Sequence, residues 1–497
     1  MNVAKQKTVI TGAGAPLRFS AMGVTAIVLF FAGLIAFAVT DEWIFLIPAP
    51  VILYLQWMLK DIRAAYLLLM AAVPLSIHEE FLNNSYSLSL PSEPMIILFA
   101  TIGVLFLVAK PQSIEKKFLL NPVTWIILLQ LVWIPLTILT SEVPLLSLKF
   151  LLAKSWYLLC FFVFPVWILR SKRDFAAVFI CWLIPLLAYM IIILIKHAML
   201  EFAFSSVDAA IGNLFYKHVD YASVISMFFP FVWAAWALSK NKKSIYRTLL
   251  FATLLFFVLS IVLSFTRAAM GGVVFGLIMV ACIRLRKVNW VLPAFYAVSL
   301  GLVFYFAKDN QFLKYRPHFQ ETYMRHEFED HLKATIQGKD MSSVERLYRW
   351  IAALRMGADR PLTGFGPHSF YFQYKPYTLS SYRTYVSENY ERSTTHNYFL
   401  LMLVEQGVPA MVLYAVLMLA AFGRIQYVYH RLKDPFYRTL LLAIGWALGI
   451  FFVNNLFSEL IETDKIGPMF YLCLSMLVIT ERLGAENDTS RLPHKGL

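Results

Sequence analysis

Charge is what this 497-residue chain has least of. Only 15% of its residues are Asp, Glu, Lys or Arg, where a soluble globular domain carries about 25%. Cysteine is scarce as well. Cys160, Cys181, Cys282 and Cys473 all fall in apolar runs, so no disulfide framework is expected. No internal repeat of the kind many transporters show is evident. The thin charge excludes a soluble enzyme and a disordered chain alike, since both need polar composition. What is present is apolar: 59% of residues are hydrophobic and the mean hydropathy is +0.65. Most of the length is therefore available for crossing lipid.

A lipid-crossing helix needs about 20 mostly apolar residues, because every backbone group must bond within its own segment. Fourteen runs fit, near 20–40, 43–59, 64–77, 94–109, 122–140, 150–169, 175–195, 220–239, 248–265, 268–283, 289–307, 396–421, 438–457 and 468–481. The expected fold class is an all-α polytopic membrane protein with about 14 transmembrane helices, or 12–14 if the short third, fourth and tenth runs fail or merge. Charge sets the orientation. With Lys5, Lys7 and Arg18 inside, Lys60/Arg63, Lys110/Lys116/Lys117, Arg170/Lys172/Arg173, Lys240/Lys242/Lys243/Arg247, Arg284/Arg286/Lys287, Arg424/Arg431/Lys433/Arg438 and Arg482/Arg491/Lys495 also fall inside. The short outer segments hold almost no Lys or Arg. Both termini are thus expected in the cytoplasm. Ala36-Phe37-Ala38 resembles a leader cleavage site, but the apolar run before it is longer than a leader requires.

Three regions follow. Residues 1–307 hold about 11 spans, 308–395 form one large, partly helical outer loop, and 396–497 hold about three spans and a tail. The formal net charge of +14 does not point to nucleic acid, because the outer loop faces away from it. In that loop Arg316, Arg325, Arg346, Arg349, Arg355, Arg383 and Arg392 lie among Tyr315, Tyr323, Tyr348, Tyr371, Tyr374, Tyr377, Tyr382, Tyr385 and Tyr390. Basic groups beside aromatic rings suit phosphates, anionic headgroups or stacked sugars. Glu321, Glu327, Glu329, Asp330 and Glu345 leave open a charge-balanced, solvated cap.

Ser342-Ser343-Val344-Glu345 reads as a capping box that opens a helix to about Gly357. Val344, Leu347, Ile351 and Leu354 predict its buried stripe. Arg346 and Arg349 point away from that stripe and suit a bidentate diphosphate clamp. Arg360 to Pro367 then makes a Gly- and Pro-rich turn. Ionisable groups at membrane depth default to function. Arg267 ends the ninth span, Lys154 lies inside the sixth, and Lys217, His218 and Asp220 start the eighth at the outer face. Glu405 lies in the twelfth span, nine residues and about 13 Å along the axis from His396. Lys154 and Glu405 are expected to partner one another or an arginine.

These residues resemble the O-antigen ligase and O-antigen polymerase superfamily of bacterial membrane glycosyltransferases. The stretch reads Arg346-x3-Trp350, Ala353-Leu354, Pro361-Leu362-Thr363-Gly364-Phe365-Gly366, His396-Asn397, then nine residues and Gly407-Val408-Pro409-Ala410. Ser264 to Gly271, with Thr266-Arg267, resembles the family's Ser-Arg motif, and Lys217 its basic residue before a mid-protein span. The outward Arg-x3-Leu motif of the ligases has matches only at Arg63–Leu67 and Arg438–Leu442, on the cytoplasmic side.

The resemblance implies a donor glycan on undecaprenyl diphosphate at the periplasmic face of the bacterial inner membrane, with lipid A-core or a growing glycan as acceptor. His396 is the expected base, which implies inversion at the anomeric carbon. Arg267 and Arg346 are expected to stabilise the leaving diphosphate. Lys217, His218, Arg349 and Glu405 are expected to bind substrate. No cofactor and no metal are expected. The alternatives are a polymerase or protein-glycosylating branch, and, from another class, a lipid-linked oligosaccharide flippase.

Overall fold

A computed structural model describes residues 21–40, 42–81, 86–240, 242–315, 341–382, 387 and 394–490. Of the outer-loop residues singled out above, Arg316, Glu321, Tyr323, Arg325, Glu327, Glu329, Asp330, Arg383, Tyr385, Tyr390 and Arg392 lie outside these ranges. Of the described residues 83% are helical, and among them the one sheet is two-stranded, β1 (Ile77–Phe81) with β2 (Tyr86–Leu90). Among the described residues, eleven helices are long and apolar enough to cross a membrane, and three shorter apolar helices accompany them. Each run read from hydropathy coincides with one of these helices.

In chain order the long elements are α1 (Ala21–Thr40), α2 (Pro48–Lys60), α3 (Ile62–Leu75), α4 (Ser92–Ala109), α5 (Pro122–Ile138), α6 (Pro144–Ile168), α7 (Lys172–Met199), α8 (His218–Leu238), α9 (Ser244–Leu263), α10 (Arg267–Arg284), α11 (Val288–Ala307), α12 (Met341–Asp359), α13 (Tyr398–Arg431), α14 (Pro435–Phe457) and α15 (Ile466–Ser490). Two compact units divide the chain: Met1–Leu68 with Glu79–Leu88, and Leu69–His78 with Ser89–Leu497. In the first, α1 packs on α2 and on the 3-10 turn Trp43–Leu46 that leads into it. The second contains every candidate site residue.

At the centre of the second unit, α14 packs against α8 and α10. Lipid chains are as apolar as leucine, so helices in lipid associate through close packing at small residues. Gly276 and Gly449 are such a pair. A methyl on Gly449 would come within 2.6 Å of Gly276 Cα, and one on Gly276 within 2.5 Å of the Trp446 carbonyl oxygen. Gly272 meets Ile450 while Gly276 meets Trp446, so α10 and α14 run antiparallel.

The segments between helices bond in two sets. Arg482 meets Glu115 at 2.7 Å, Lys172 meets Asp434 at 2.6 Å, and Arg424 pairs with Glu481. Asn121 joins Glu481 as well. At the other ends of the helices, Arg360 meets Glu142 at 2.6 Å, Ser147 donates to the Pro367 carbonyl, and Lys465 to that of Leu214. The first set holds segments assigned to the inside by charge, and the second holds segments assigned to the outside. The four cysteines are free.

Candidate active site

The His396-Asn397 pair forms a knuckle at the start of α13. Asn397 is the N-cap: its side-chain oxygen accepts from the Leu400 amide at 3.0 Å, which satisfies one of the helix's orphan donors. Its side-chain NH2 donates to the Leu456 carbonyl at 3.1 Å, tying the knuckle to the last turn of α14. Just before it, Trp350 Nε1 of α12 donates to the Thr395 carbonyl at 3.0 Å. Held between these two anchors, His396 adopts φ +50°, a left-handed conformation that costs about 1–3 kcal/mol and recurs at functional sites.

The half-buried imidazole points its Nδ1 at Glu459, 3.8 Å from Oε2 and beyond hydrogen-bond reach. Burial lowers the His396 pKa first, and the charges of Arg349, Arg346 and Lys217 push it down further, to about 3. The ring is therefore neutral at pH 7. Burial raises the pKa of Glu459, against the pull of Arg349 and Arg346. Arg346, Arg349, Lys217 and Glu459 thus converge electrostatically on the histidine.

The helix that carries the two arginines differs from its sequence reading. It begins at Met341, so Ser342 is not its N-cap. Glu345 instead accepts from Ser387 Oγ at 2.5 Å and pairs with Arg349 at 3.6 Å. Leu347 and Leu354 are exposed, and the buried face is Val344, Glu345, Tyr348, Arg349, Ala352, Ala353 and Met356. Small residues bring α12 close to α13, with which it packs. That approach turns Arg349 inward, to 5% exposure, with the Glu345 carboxylate beside it.

Arg267 opens α10 and is half-buried. The antiparallel register sets it one and a half turns beyond Gly272, about 7.5 Å at 1.5 Å per residue. That is the end of the helix pair where Asn454, Asn455 and Glu459 lie. His218 turns elsewhere: its Nδ1 bonds Asp208 at 2.9 Å, and its amide donates to the same carboxylate. Lys217, the preceding residue, is exposed.

The turn after α12 is not a phosphate loop. It plugs a break in α13. At Gly407 the helix takes φ +79°, and Pro361 to Gly366 bonds across the gap. Phe365 N donates to Val404 O, Gly366 N to Glu405 O and Val408 N to Pro361 O, at 2.9, 2.9 and 2.7 Å. Trp133 Nε1 donates to the Gln406 carbonyl at 2.8 Å. The buried Glu405 carboxylate accepts from the His368 and Phe370 amides. Lys154 does not pair with it. Lys154 Nζ instead meets Glu462 at 2.6 Å, and Tyr398 OH donates to the same oxygen at 2.5 Å.

Sequence reasoning missed the segment between the last two helices. Glu459, Glu462, Asp464 and Lys465 crowd into it. Lys465 is buried among Phe215, Tyr189 and the Leu214 carbonyl, which it donates to at 2.5 Å; burial lowers its pKa to about 8. It braces the segment leading to Lys217. The available signal was four ionisable residues within seven positions of a short connection between two apolar runs. Among the described residues, no group of three His, Cys, Asp or Glu is placed to hold a metal ion.

Residues 251–415 match the family model described as O-antigen ligase. That span covers Arg267, Arg346, Arg349, His396 and Glu405. No curated protein matches the chain.

Proposed function

We propose that the chain, whose residues 251–415 match the O-antigen ligase family model, is a multi-pass membrane glycosyltransferase of the ligase or polymerase type that transfers a glycan from undecaprenyl diphosphate to a hydroxyl of lipid A-core at the periplasmic face of the bacterial inner membrane. The observation that carries this reading is the convergence of Arg346, Arg349 and Lys217 on an uncharged His396. Cations beside a neutral imidazole suit a reaction that gains negative charge at one atom while losing a proton at another.

The acceptor oxygen attacks the anomeric carbon from the face opposite the diphosphate. As that bond forms, the carbon–oxygen bond to phosphate breaks, and its electron pair leaves with undecaprenyl diphosphate. His396 takes the hydroxyl proton. Arg346 and Arg267 stabilise the departing charge, with Arg349 and Lys217 in support. Glu459 faces Nδ1 and favours the imidazolium that forms. Glu405, bonded to loop amides, and His218, bonded to Asp208, act by holding the segments around the substrate. The proposed topology has about 14 spans, a periplasmic loop over 308–395, and both termini cytoplasmic. It is supported by the two separate sets of inter-segment bonds.

In an in vitro assay with lipid-linked donor, His396→Ala should lower transfer roughly 10²- to 10⁴-fold, and Arg267→Ala should also lower it strongly. Undiminished transfer by correctly inserted variants overturns the assignment. Turnover should be unchanged in EDTA. A polymerase is the second reading. It is favoured by Arg438, the start of one Arg-x3-Leu match, which lies near the Asp434 end of α14, about 30 Å along the axis from the His396 end. Deletion separates the two: loss of a ligase strands long glycan on its carrier, whereas loss of a polymerase leaves a single repeat on surface lipid. Movement of lipid-linked donor across liposomes with no glycosidic bond formed would mark a flippase instead.

A further inference from the structure

Between the end of α8 and the start of α9 lies a cleft of about 330 Å³, lined by Trp236, Ser244, Arg247, Thr248 and Phe251. We propose that it binds the phosphate headgroup of an anionic membrane lipid, at the end of the molecule remote from His396. The Arg247 guanidinium carbon stands 5.5 Å from the Trp236 ring centroid, and Phe251 packs on that ring at 6.0 Å. The cation is thus held over an aromatic floor. Lys240, Lys242 and Lys243 lie on the connecting turn. No acidic residue occurs between Asp220 and Asp309. Among the described residues, none of these four cations joins an ion pair. Thr248 Oγ1 returns to the Ser244 carbonyl at 3.0 Å, so the guanidinium and the Ser244 hydroxyl are the donors offered to an incoming anion.

The wall below the cleft selects a lipid over a soluble phosphate. Phe251, Leu255, Val258 and Val262 recur at i, i+4, i+7 and i+11 and are all exposed, at 46–56%. They make one apolar stripe running down α9 from beneath Arg247. From Phe251 to Val262 the stripe is about 16 Å long at 1.5 Å per residue, close to the half-thickness of a hydrocarbon core, about 15 Å. A phosphate at Arg247 would lay its acyl chain along this stripe. Basic pockets between helices are sites of this chemistry. In the topology proposed above, the cleft opens to the cytoplasmic leaflet.

The test is native mass spectrometry of the full-length protein in detergent, titrated with phosphatidylglycerol, with phosphatidylcholine, and with soluble glycerol 3-phosphate. The wild type should hold one phosphatidylglycerol more tightly than phosphatidylcholine. Arg247→Gln should weaken that binding roughly fivefold. Arg247→Lys, which keeps the charge but loses the planar stack, should fall between them. Glycerol 3-phosphate should not compete at equimolar concentration. Unchanged phosphatidylglycerol binding in both variants overturns the site, as does equal retention of phosphatidylcholine. Competition by glycerol 3-phosphate overturns the lipid assignment. Arg247→Gln should melt as the wild type does in lipid-free detergent, and its transfer activity is not expected to change.

Discussion

His396 is a feeble base in the empty protein, because burial and three nearby cations hold its pKa at about 3. A bound diphosphate would neutralise Arg346, Arg349 and Lys217, and the imidazole pKa would climb toward its ordinary value of about 6.5. In the mechanism proposed above, donor binding thereby arms the base. The acid limb of kcat, which reports the substrate complex, should lie above the acid limb of kcat/KM, which reports the free protein. Coincident limbs would refute this coupling. The same shift bears on stability. The folded pKa lies below the unfolded one, so the unfolded chain binds this proton first. The contribution from neutral His396 is whole above about pH 6.5 and declines as pH falls toward 3. Melting in detergent between pH 7 and pH 4 should therefore depend less on pH in His396→Gln than in the wild type. His396 could be singled out in the sequence from its position beside Asn397, just before a long apolar run. Glu459 was not, because its partner lies 63 residues upstream.

Helices were legible wherever the pattern is set by the medium. Lipid demands long apolar runs, and those runs became helices with little displacement. Where the pattern is set by a neighbour, the reading failed. Leu347 and Leu354 looked like a buried stripe on α12, but α13 accepts Ala352 and Ala353 and leaves the leucines exposed. The break in α13 was invisible because Pro361 to Gly366, which bridges it, is distant in sequence. Gly407→Ala should cost about 1–3 kcal/mol for its backbone alone (φ +79°, ψ 179°), a conformation nearly confined to glycine, and more because Leu362 O lies against it. A thermal melt reads this directly. The Lys154–Glu462 pair gives a second measurement. Lys154→Met strands a largely buried carboxylate and should destabilise by about 3 kcal/mol. Adding Glu462→Gln should recover much of that loss, and additive losses in the double-mutant cycle would show that the two do not interact.

Across the whole molecule, the separation of inter-segment bonds into two sets gives a test of sidedness. In a cysteine-free background, Lys217→Cys should react with a membrane-impermeant maleimide added outside the inner membrane. Lys287→Cys should react only once that membrane is opened. Both residues are exposed. Labelling of both from outside, or of neither, would break the proposed parity. The apolar helices were readable from sequence because each depends on local composition. The grouping of Arg346, Arg349 and Lys217 about His396 was not, since it depends on how helices far apart in the chain pack.

The plug at Gly407 has a consequence for engineering. Because Pro361 to Gly366 completes the backbone pairing of Val404, Glu405 and Val408, these two stretches behave as a lock and its key. A chimera that imports the outer segment from a related enzyme while keeping the host's α13 would inherit a mismatched pair. Grafts intended to change acceptor choice should exchange 341–431 as a single cassette.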